Sequence, residues 1–430
     1  MLIVASVVGS GIFFTPSQVA QLLPSGELIL FAWIVGALLS LAGAFANAEL
    51  GAMFPRAGGD YVYLREGIHP AAGFLVGWLS FFAIYAGTIA ALAVVFAESF
   101  GAGLGLERRG ILALATAVII GVSYLNWRGT KLGAGLNNWT SVAKIVALVV
   151  FAVLGPLFGV GSLAPWFGEA ASHRIGTLHG ADAWVRFGQA LSPILFSYLG
   201  WNACVYVASE IKDPARNVPR SLFLGLGLCA GLYIIVNGVY LYALPPAELA
   251  ASGDAGEAAA RALFGGLGGT LVSIFVLVSV LGTLNATILV GPRIVYAMAL
   301  DGLFLRGVDR VHTGFQTPGV AIIVQAIVSI ALVLFLETFP RALNFTVFGI
   351  ILATSADTIA LFLLRIRQPD RPRPYRSWGY PWVPGLYLVV NVAIGWALVI
   401  GSPQESITTL VLLAGGLLVY LGYARIAARA

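Results

Sequence analysis

Charge is scarce in this chain. Only 10% of its 430 residues are Asp, Glu, Lys or Arg, against roughly a quarter in soluble globular proteins. So few charged side chains cannot cover a water-exposed surface, and a soluble fold is excluded. Cysteine is scarcer still. Cys204 and Cys229 both fall within apolar stretches, where they read as small packing residues and imply no disulfide framework. The four histidines, His69, His173, His179 and His312, fall between apolar stretches, which speaks against a metal centre or proton relay built on histidine. Long polar loops are missing too, the longest connections being 164–186 and 244–264. With no Walker motif, metal cluster or long loop, a polytopic enzyme has nowhere to keep its chemistry. Nor does a polar stripe run along several stretches, as a channel would need.

What remains is apolar. The chain is 59% hydrophobic with a mean hydropathy of +0.92, the composition of an integral membrane protein. A helix needs about 20 apolar residues to cross roughly 30 Å of hydrocarbon. On that measure about twelve spans follow one another: 2–23, 28–54, 71–100, 110–127, 138–163, 187–210, 220–243, 265–298, 319–338, 341–366, 384–401 and 405–424. Helix-stop chemistry separates them. Pro55 to Gly59 ends span 2, and Tyr61 to Gly67 then reads as a short amphipathic segment at the interface. Asp213-Pro214 and Pro219 close span 6 and open span 7. Trp378, Tyr380 and Trp382, in a Pro- and Arg-rich loop, read as interface anchors.

Basic residues set the orientation, since cytoplasmic loops carry the excess of Lys and Arg. The connections after the even-numbered spans, with the C-terminus, hold seventeen of them, including the run Arg365, Arg367, Arg371, Arg373 and Arg376; the opposite side holds six. Both termini are therefore expected in the cytoplasm, with the chain in the plasma or inner membrane. The net charge of +5 is mostly this topology signal and no footprint for nucleic acid. Met1 stands within about ten residues of the first interruption described below, without the charged n-region of a signal peptide. The expectation is a start that leaves the first half-helix short.

Two spans are broken at their centres. Span 1 carries Gly9-Ser10-Gly11, and span 6 carries Ser197-Tyr198-Leu199-Gly200 with Pro193 upstream. In hydrocarbon an unpaired backbone N–H or C=O costs several kcal/mol, so a helix that gives up its ladder at mid-depth has something polar to hold. The breaks lie five spans apart. Five is odd, so spans 1–5 and 6–10 enter the membrane in opposite senses, as in transporters whose site lies between inverted repeats. Glycines at 9 and 11 remove both Cβ hindrance and helix propensity. From Ile12 the helix restarts with unpaired N–H groups and the positive end of its dipole, a seat for a carboxylate on the amides of Ser10 and Gly11. The half-helix before it ends in free carbonyls near Val7 and Val8, and the second break adds carbonyls at Phe196 and Leu199. A ligand with a carboxylate and an ammonium one carbon apart satisfies both sets, and that is an α-amino acid. A Gly-Ser-Gly segment alone is as readily a helix-packing surface; the matching break in span 6 tips the balance.

Four side chains stand out beside the breaks. Lys144 is the only lysine deep in a span and is a functional candidate on that ground: it either stands in for a coupling cation or carries a coupling proton, the alternative being a lysine that snorkels to the interface. Glu49, near the cytoplasmic end of span 2, is a candidate gate residue pairing with a cytoplasmic arginine, or a plain interface carboxylate. Asp357 in span 10 is an intramembrane acid with no partner legible in the sequence. Asn202 can hydrogen-bond within the unwound segment and hold its shape.

At these residues the chain resembles the amino acid–polyamine–organocation permeases, in particular the branch of L-type amino acid transporters and bacterial serine/threonine exchangers. The matching segments are Gly9 to Phe13, Ala48 to Gly67, Phe196 to Ala203 with the following Ser209 to Leu222, Arg293 to Gly302, and Arg371 to Tyr387. The resemblance implies an all-α polytopic membrane protein of the LeuT type. It would have twelve transmembrane helices: a 5+5 inverted repeat (1–163 and 187–366) with discontinuous helices 1 and 6, then helices 11 and 12 (384–425). It also implies a site at Val7, Gly9, Ser10, Gly11, Ile12, Phe196, Ser197, Leu199, Gly200 and Asn202. In it Phe196 acts as an aromatic lid and gate, and Lys144 takes the place of a sodium ion found in sodium-coupled relatives. The implied activity is secondary transport of neutral, small to medium amino acids, by proton symport or exchange. A cationic amino acid or amine carrier and a permease-like nutrient sensor are the alternatives. Membrane lipid, the amino acid and protons are the expected partners, with no metal or cofactor. Gly101 to Gly110, the loop through which some relatives bind an ancillary subunit, has no cysteine, so covalent pairing is not expected.

Overall fold

A computed structural model describes residues 4, 7–9, 11–23, 25–54, 58–159, 161–162, 180–201, 211–305, 307–311, 315 and 317–427, without the side chains of 130–141, 180–181, 215 and 424–427. Its helices follow the apolar runs closely. In chain order they are α1 (Gly11–Leu22), α2 (Gly26–Met53), α3 (Asp60–Gly67), α4 (Pro70–Ala102), α5 (Arg108–Arg128), α6 (Thr130–Phe158), α7 (Gly180–Ser197) and α8 (Pro214–Ala243). Then come α9 (Pro246–Ala251), α10 (Ala255–Val290), α11 (Pro292–Leu300), α12 (Gly319–Leu336), α13 (Phe339–Arg367), α14 (Trp382–Gly401) and α15 (Pro403–Ala427). Nine helices among the described residues are long and apolar enough to cross a bilayer, and Val142–Phe158 of α6 is a shorter apolar one. The interrupted pair, α1 and α7, brings the total to the twelve expected spans.

Local chemistry sets the ends. Ser25 caps α2 by accepting from Leu28 N at 3.3 Å. His69 accepts from Ala71 N in front of Pro70, the first residue of α4. Asp254 caps α10 by accepting from Glu257 N at 2.9 Å; each such cap stabilises its helix by about 1 kcal/mol. α4 contains a π-helical turn at Ser80–Tyr85, which no sequence pattern announced.

Unlike a soluble protein, the bundle is apolar on its outer face as well as in its core. Leu267, Leu271, Ile274 and Val278 on α10 are exposed at helical spacing, as are Leu386, Val389 and Trp396 on α14; these stripes face lipid. Buried between the helices are Thr15, Asn47, Glu49, Asn126, Lys144, Asn237, Asn285, Gln325 and Asp357. They serve partly as interhelical glue: Asn126 donates to Asn285 Oδ1 at 2.8 Å, and Asn344 bridges Ser192 and Ser402. Trp378 and Trp382 are exposed near the basic end, consistent with interface anchors.

One expectation is corrected. The segment after span 2 is helical, as α3, but it does not lie on the surface. Asp60, Tyr61, Val62, Tyr63 and Leu64 are all buried, because α3 packs on α4 and α13.

Candidate substrate site

The first break is visible on both sides of Ser10. Val8 N donates to Val4 O at 2.8 Å and Gly9 N donates to Val7 O at 2.6 Å; α1 then starts afresh at Gly11. Its first N–H groups have no carbonyl one turn earlier to bond to. At the second break α7 ends at Ser197. Leu199 N turns back to Phe196 O at 3.0 Å, and Gly200 takes φ 105°, a left-handed conformation that a side chain would strain. Ser10 and Asn202 lie outside the described residues.

The two breaks touch. A methyl on Gly11 would stand 2.9 Å from Ser197 Cα and 2.8 Å from its Oγ, so the backbones cross with only a glycine's thickness between them. The Thr15 and Ser197 hydroxyls lie 2.6 Å apart. Each also bonds a carbonyl one turn back, Thr15 to Gly11 O at 2.9 Å and Ser197 to Pro193 O at 3.1 Å. Ile12 is buried under the crossing. Ser197 is thus held by α1, and the crossing is a built joint.

Lys144 belongs to the same constellation. It is buried, and its Nζ donates to Thr283 Oγ1 at 2.7 Å; Thr283 in turn lies 3.4 Å from where a Gly9 Cβ would be. α6 and α10 therefore reach the first break through this pair, with no snorkelling to the surface. Tyr233 on α8 donates to the Val7 carbonyl at 2.7 Å. The carbonyl end of the first half-helix is thus gripped by a hydroxyl that sequence reasoning missed. Thr15, Tyr233 and Thr283 were missed because a hydroxyl in an apolar span reads as packing. The one available signal was that a buried Tyr O–H needs a partner.

Above the crossing, at the end away from the basic loops, lies a cavity of about 620 Å³. Phe14 of α1 lines it with Glu98, Asp254, Glu257 and Arg261. Two of its carboxylates are paired, Glu98 with Arg108 at 2.9 Å and Glu257 with Arg261 at 2.5 Å. Burial pushes the Asp254 carboxyl up to about 7, with the nearby Glu257 adding to the effect. From the cavity inward, Phe14 meets Phe339 at 6.1 Å between ring centroids, and Phe339 meets Phe196 at 5.9 Å, both edge to face. All three rings are buried, so a chain of aromatics links the cavity to the second break. Behind that break a water-sized space of about 20 Å³ is lined by Leu199, Trp201, Ser40, Thr354, Tyr387 and Asn391.

Glu49 sits at the basic end, fully buried. Arg365 donates to both its oxygens at 3.0 and 2.6 Å, Ser377 N donates at 2.7 Å, and Arg373 lies 3.2 Å away. It ties α2 to α13 and to the loop before α14, away from the crossing.

Comparison with known proteins gives the chain's family and relatives. Residues 1–421 match the amino acid permease family. The chain is 32% identical to the serine/threonine exchanger SteT of Bacillus subtilis (strain 168), over 98% of this chain and 94% of that protein. It is 26% identical to the b(0,+)-type amino acid transporter 1 of Mus musculus, over 97% and 85%. To the large neutral amino acids transporter small subunit 2 of Homo sapiens it is 27% identical, over 87% and 70%.

Proposed function

This chain belongs to the amino acid permease family, a multi-pass membrane transporter and not an enzyme, and we propose that it exchanges small neutral amino acids at the crossing of its two broken helices. The observation that carries this reading is the contact of Gly11 with Ser197, which sets the free amides of α1 beside the loosened carbonyls after α7. The substrate carboxylate binds the amides at Ser10 and Gly11; its ammonium binds carbonyls at Phe196 and Leu199, with Val7 held in place by Tyr233. No ionised side chain among the described residues lies in the crossing itself, Lys144 being committed to Thr283, which favours a neutral substrate. Phe196, Phe339 and Phe14 form the outer cover that opens and closes. Lys144 fixes the first break as a resident cation in place of a sodium ion. The similarity to a serine/threonine exchanger supports exchange over net uptake.

Residues 1–163 and 187–366 form the two inverted repeats, both termini lying in the cytoplasm. One observation favours a second reading. Asp254, the acid of the outer cavity that is not paired with an arginine there, would draw a cationic amino acid when ionised. The relative described as a small subunit has a counterpart here only if pairing is non-covalent, because residues 101–110 lack cysteine.

Reconstituted vesicles decide between these. Uptake of labelled serine should require unlabelled internal amino acid, and serine, threonine and alanine should compete better than arginine or glutamate. Equal uptake into empty vesicles overturns exchange, and stronger competition by arginine establishes the cationic reading.

A further inference from the structure

Four rings stand in a row on the outside of the bundle at its basic end. Tyr375 and Trp378 come from the loop before α14, Phe45 from α2 and Phe223 from α8. Tyr375 meets Phe223 at 5.5 Å between centroids, Phe223 meets Phe45 at 4.9 Å, and Phe45 meets Trp378 at 5.7 Å. Three of the rings are half-buried, and Trp378 is 67% exposed. α8 carries the wall on into the membrane, where Leu224, Leu228 and Ile235 are exposed at helical spacing. Beside them, a Cβ on Gly227 or Gly231 would meet nothing within 4 Å, so this face of α8 is shallowly hollowed.

Arginines crown the wall. Arg216 and Arg220 lie one turn apart at the start of α8, and Phe223 follows Arg220 by about another turn. Arg376 lies between Tyr375 and Trp378 in the loop. All three arginines are exposed. Positive charge at this end is a topology signal in general, yet neighbouring arginines are spent inside the protein. Arg365 and Arg373 hold Glu49, Arg65 holds Asp301, and Arg371 bonds Gln368 and stacks on the Phe54 ring. Arg216, Arg220 and Arg376 form no ion pair with any carboxylate among the described residues. Guanidinium forks bind phosphate oxygens two at a time. Aromatic rings settle at headgroup depth, and the leucines below them face hydrocarbon.

We propose that this face of α2 and α8, with the loop before α14, is a binding site for an anionic phospholipid. The phosphate sits on Arg220 and Arg376, with Arg216 beside them, and the acyl chains run along Phe223, Leu224 and Leu228. The lipid joins the start of α8 to the loop that Glu49 holds from within. The site rests on the membrane-spanning fold alone, and neither the substrate nor the mode of transport enters it. With anionic lipid in both leaflets, the orientation of the protein does not enter either.

Trp378 reports on the site. The purified protein is placed in vesicles of phosphatidylcholine with a minority of phosphatidylglycerol, and one lipid or the other carries bromine on its acyl chains to quench nearby indoles. Subtracting Trp378→Phe isolates this residue among the chain's 10 tryptophans. At equal mole fraction, phosphatidylglycerol should be preferred at Trp378 by about fivefold or more, the factor one arginine near an anionic surface supplies. Arg220→Gln combined with Arg376→Gln should bring the preference near unity. Arg220→Lys combined with Arg376→Lys keeps the charge and should retain most of it. Equal quenching by the two lipids in wild type overturns the proposal, as does a preference that survives the glutamine substitutions. Quenching by brominated phosphatidylcholine checks that each variant still sits in the bilayer. Should the glutamine variant fail that check, salt decides on the wild type alone. In about 1 M salt, where screening acts within about 3 Å, the preference should fall clearly; a preference that salt leaves unchanged overturns the site.

Discussion

Ser197 leaves no room for a side chain on Gly11, while Gly9 faces Thr283 at ordinary contact distance. The two glycines of one short motif therefore answer differently to the same substitution. Gly11→Ala must push the α1–α7 crossing apart, and overpacking of this kind costs about 1–3 kcal/mol. Gly9→Ala meets Thr283 at 3.4 Å and Val7 O at 3.6 Å, which needs no movement. Exchange in vesicles should fall by roughly tenfold or more in Gly11→Ala and by less than about threefold in Gly9→Ala, with both proteins monodisperse by size exclusion; equal effects would show that the crossing is not the joint described. The glycines were legible in the sequence because loss of Cβ is itself a signal. Tyr233 was not: its partner is the Val7 backbone, and a carbonyl has no signature in a sequence. Asp357 stood out as an intramembrane acid, yet Asn47, which donates to it, lies 310 positions away in the chain and had no signature of its own.

Elements were read well at ends such as Ser25, Pro70 and Pro403, whereas the helix capped by Asp254 starts at Ala255, ten residues before the expected 265. α3 was misread because Asp60, Arg65 and Glu66 make its composition polar, whereas the face that matters is Tyr61, Val62, Tyr63 and Leu64. The role of Glu49 was half legible. An arginine partner was expected, but the structure shows one carboxylate joining α2, the end of α13 and the loop before α14. Arg365 also stacks on the Tyr380 ring at 3.9 Å, so the loop is held by its charges and its aromatics together. Glu49→Gln keeps the shape of the side chain and removes the charge that the buried Arg373 and the half-buried Arg365 guanidinium groups depend on. Breaking such a pair costs about 3–5 kcal/mol. The thermal midpoint should drop clearly, and trypsin should cut faster after Arg376, the loop arginine here not followed by proline, than in the wild type; unchanged cleavage would mean that the loop is held by its aromatics alone.

At the scale of the whole molecule, the helical bundle was legible because the apolar runs are about 20 residues long, the length of membrane helices and twice that of barrel strands. How the spans pair was beyond composition. The helix faces that meet, such as α2 on α8 and α6 on α10, are distinguished by small residues and lone hydroxyls that any apolar span contains. Orientation lies between these cases, since it depends on charges outside the bundle. The structure gathers Arg365 and Arg373 around Glu49 at one end, and places the cavity of Glu98, Asp254 and Glu257 at the other. If the basic end is cytoplasmic, as the excess of Lys and Arg requires, the acidic cavity faces outward. In a background with Cys204 and Cys229 replaced by Ser, Leu104→Cys lies in an exposed turn beyond α4 and Arg376→Cys in the basic loop. A membrane-impermeant maleimide should label the first in intact cells and the second only after permeabilisation. The reverse pattern would turn the molecule over, placing the acidic cavity inside the cell and the Glu49 cluster near the outer face.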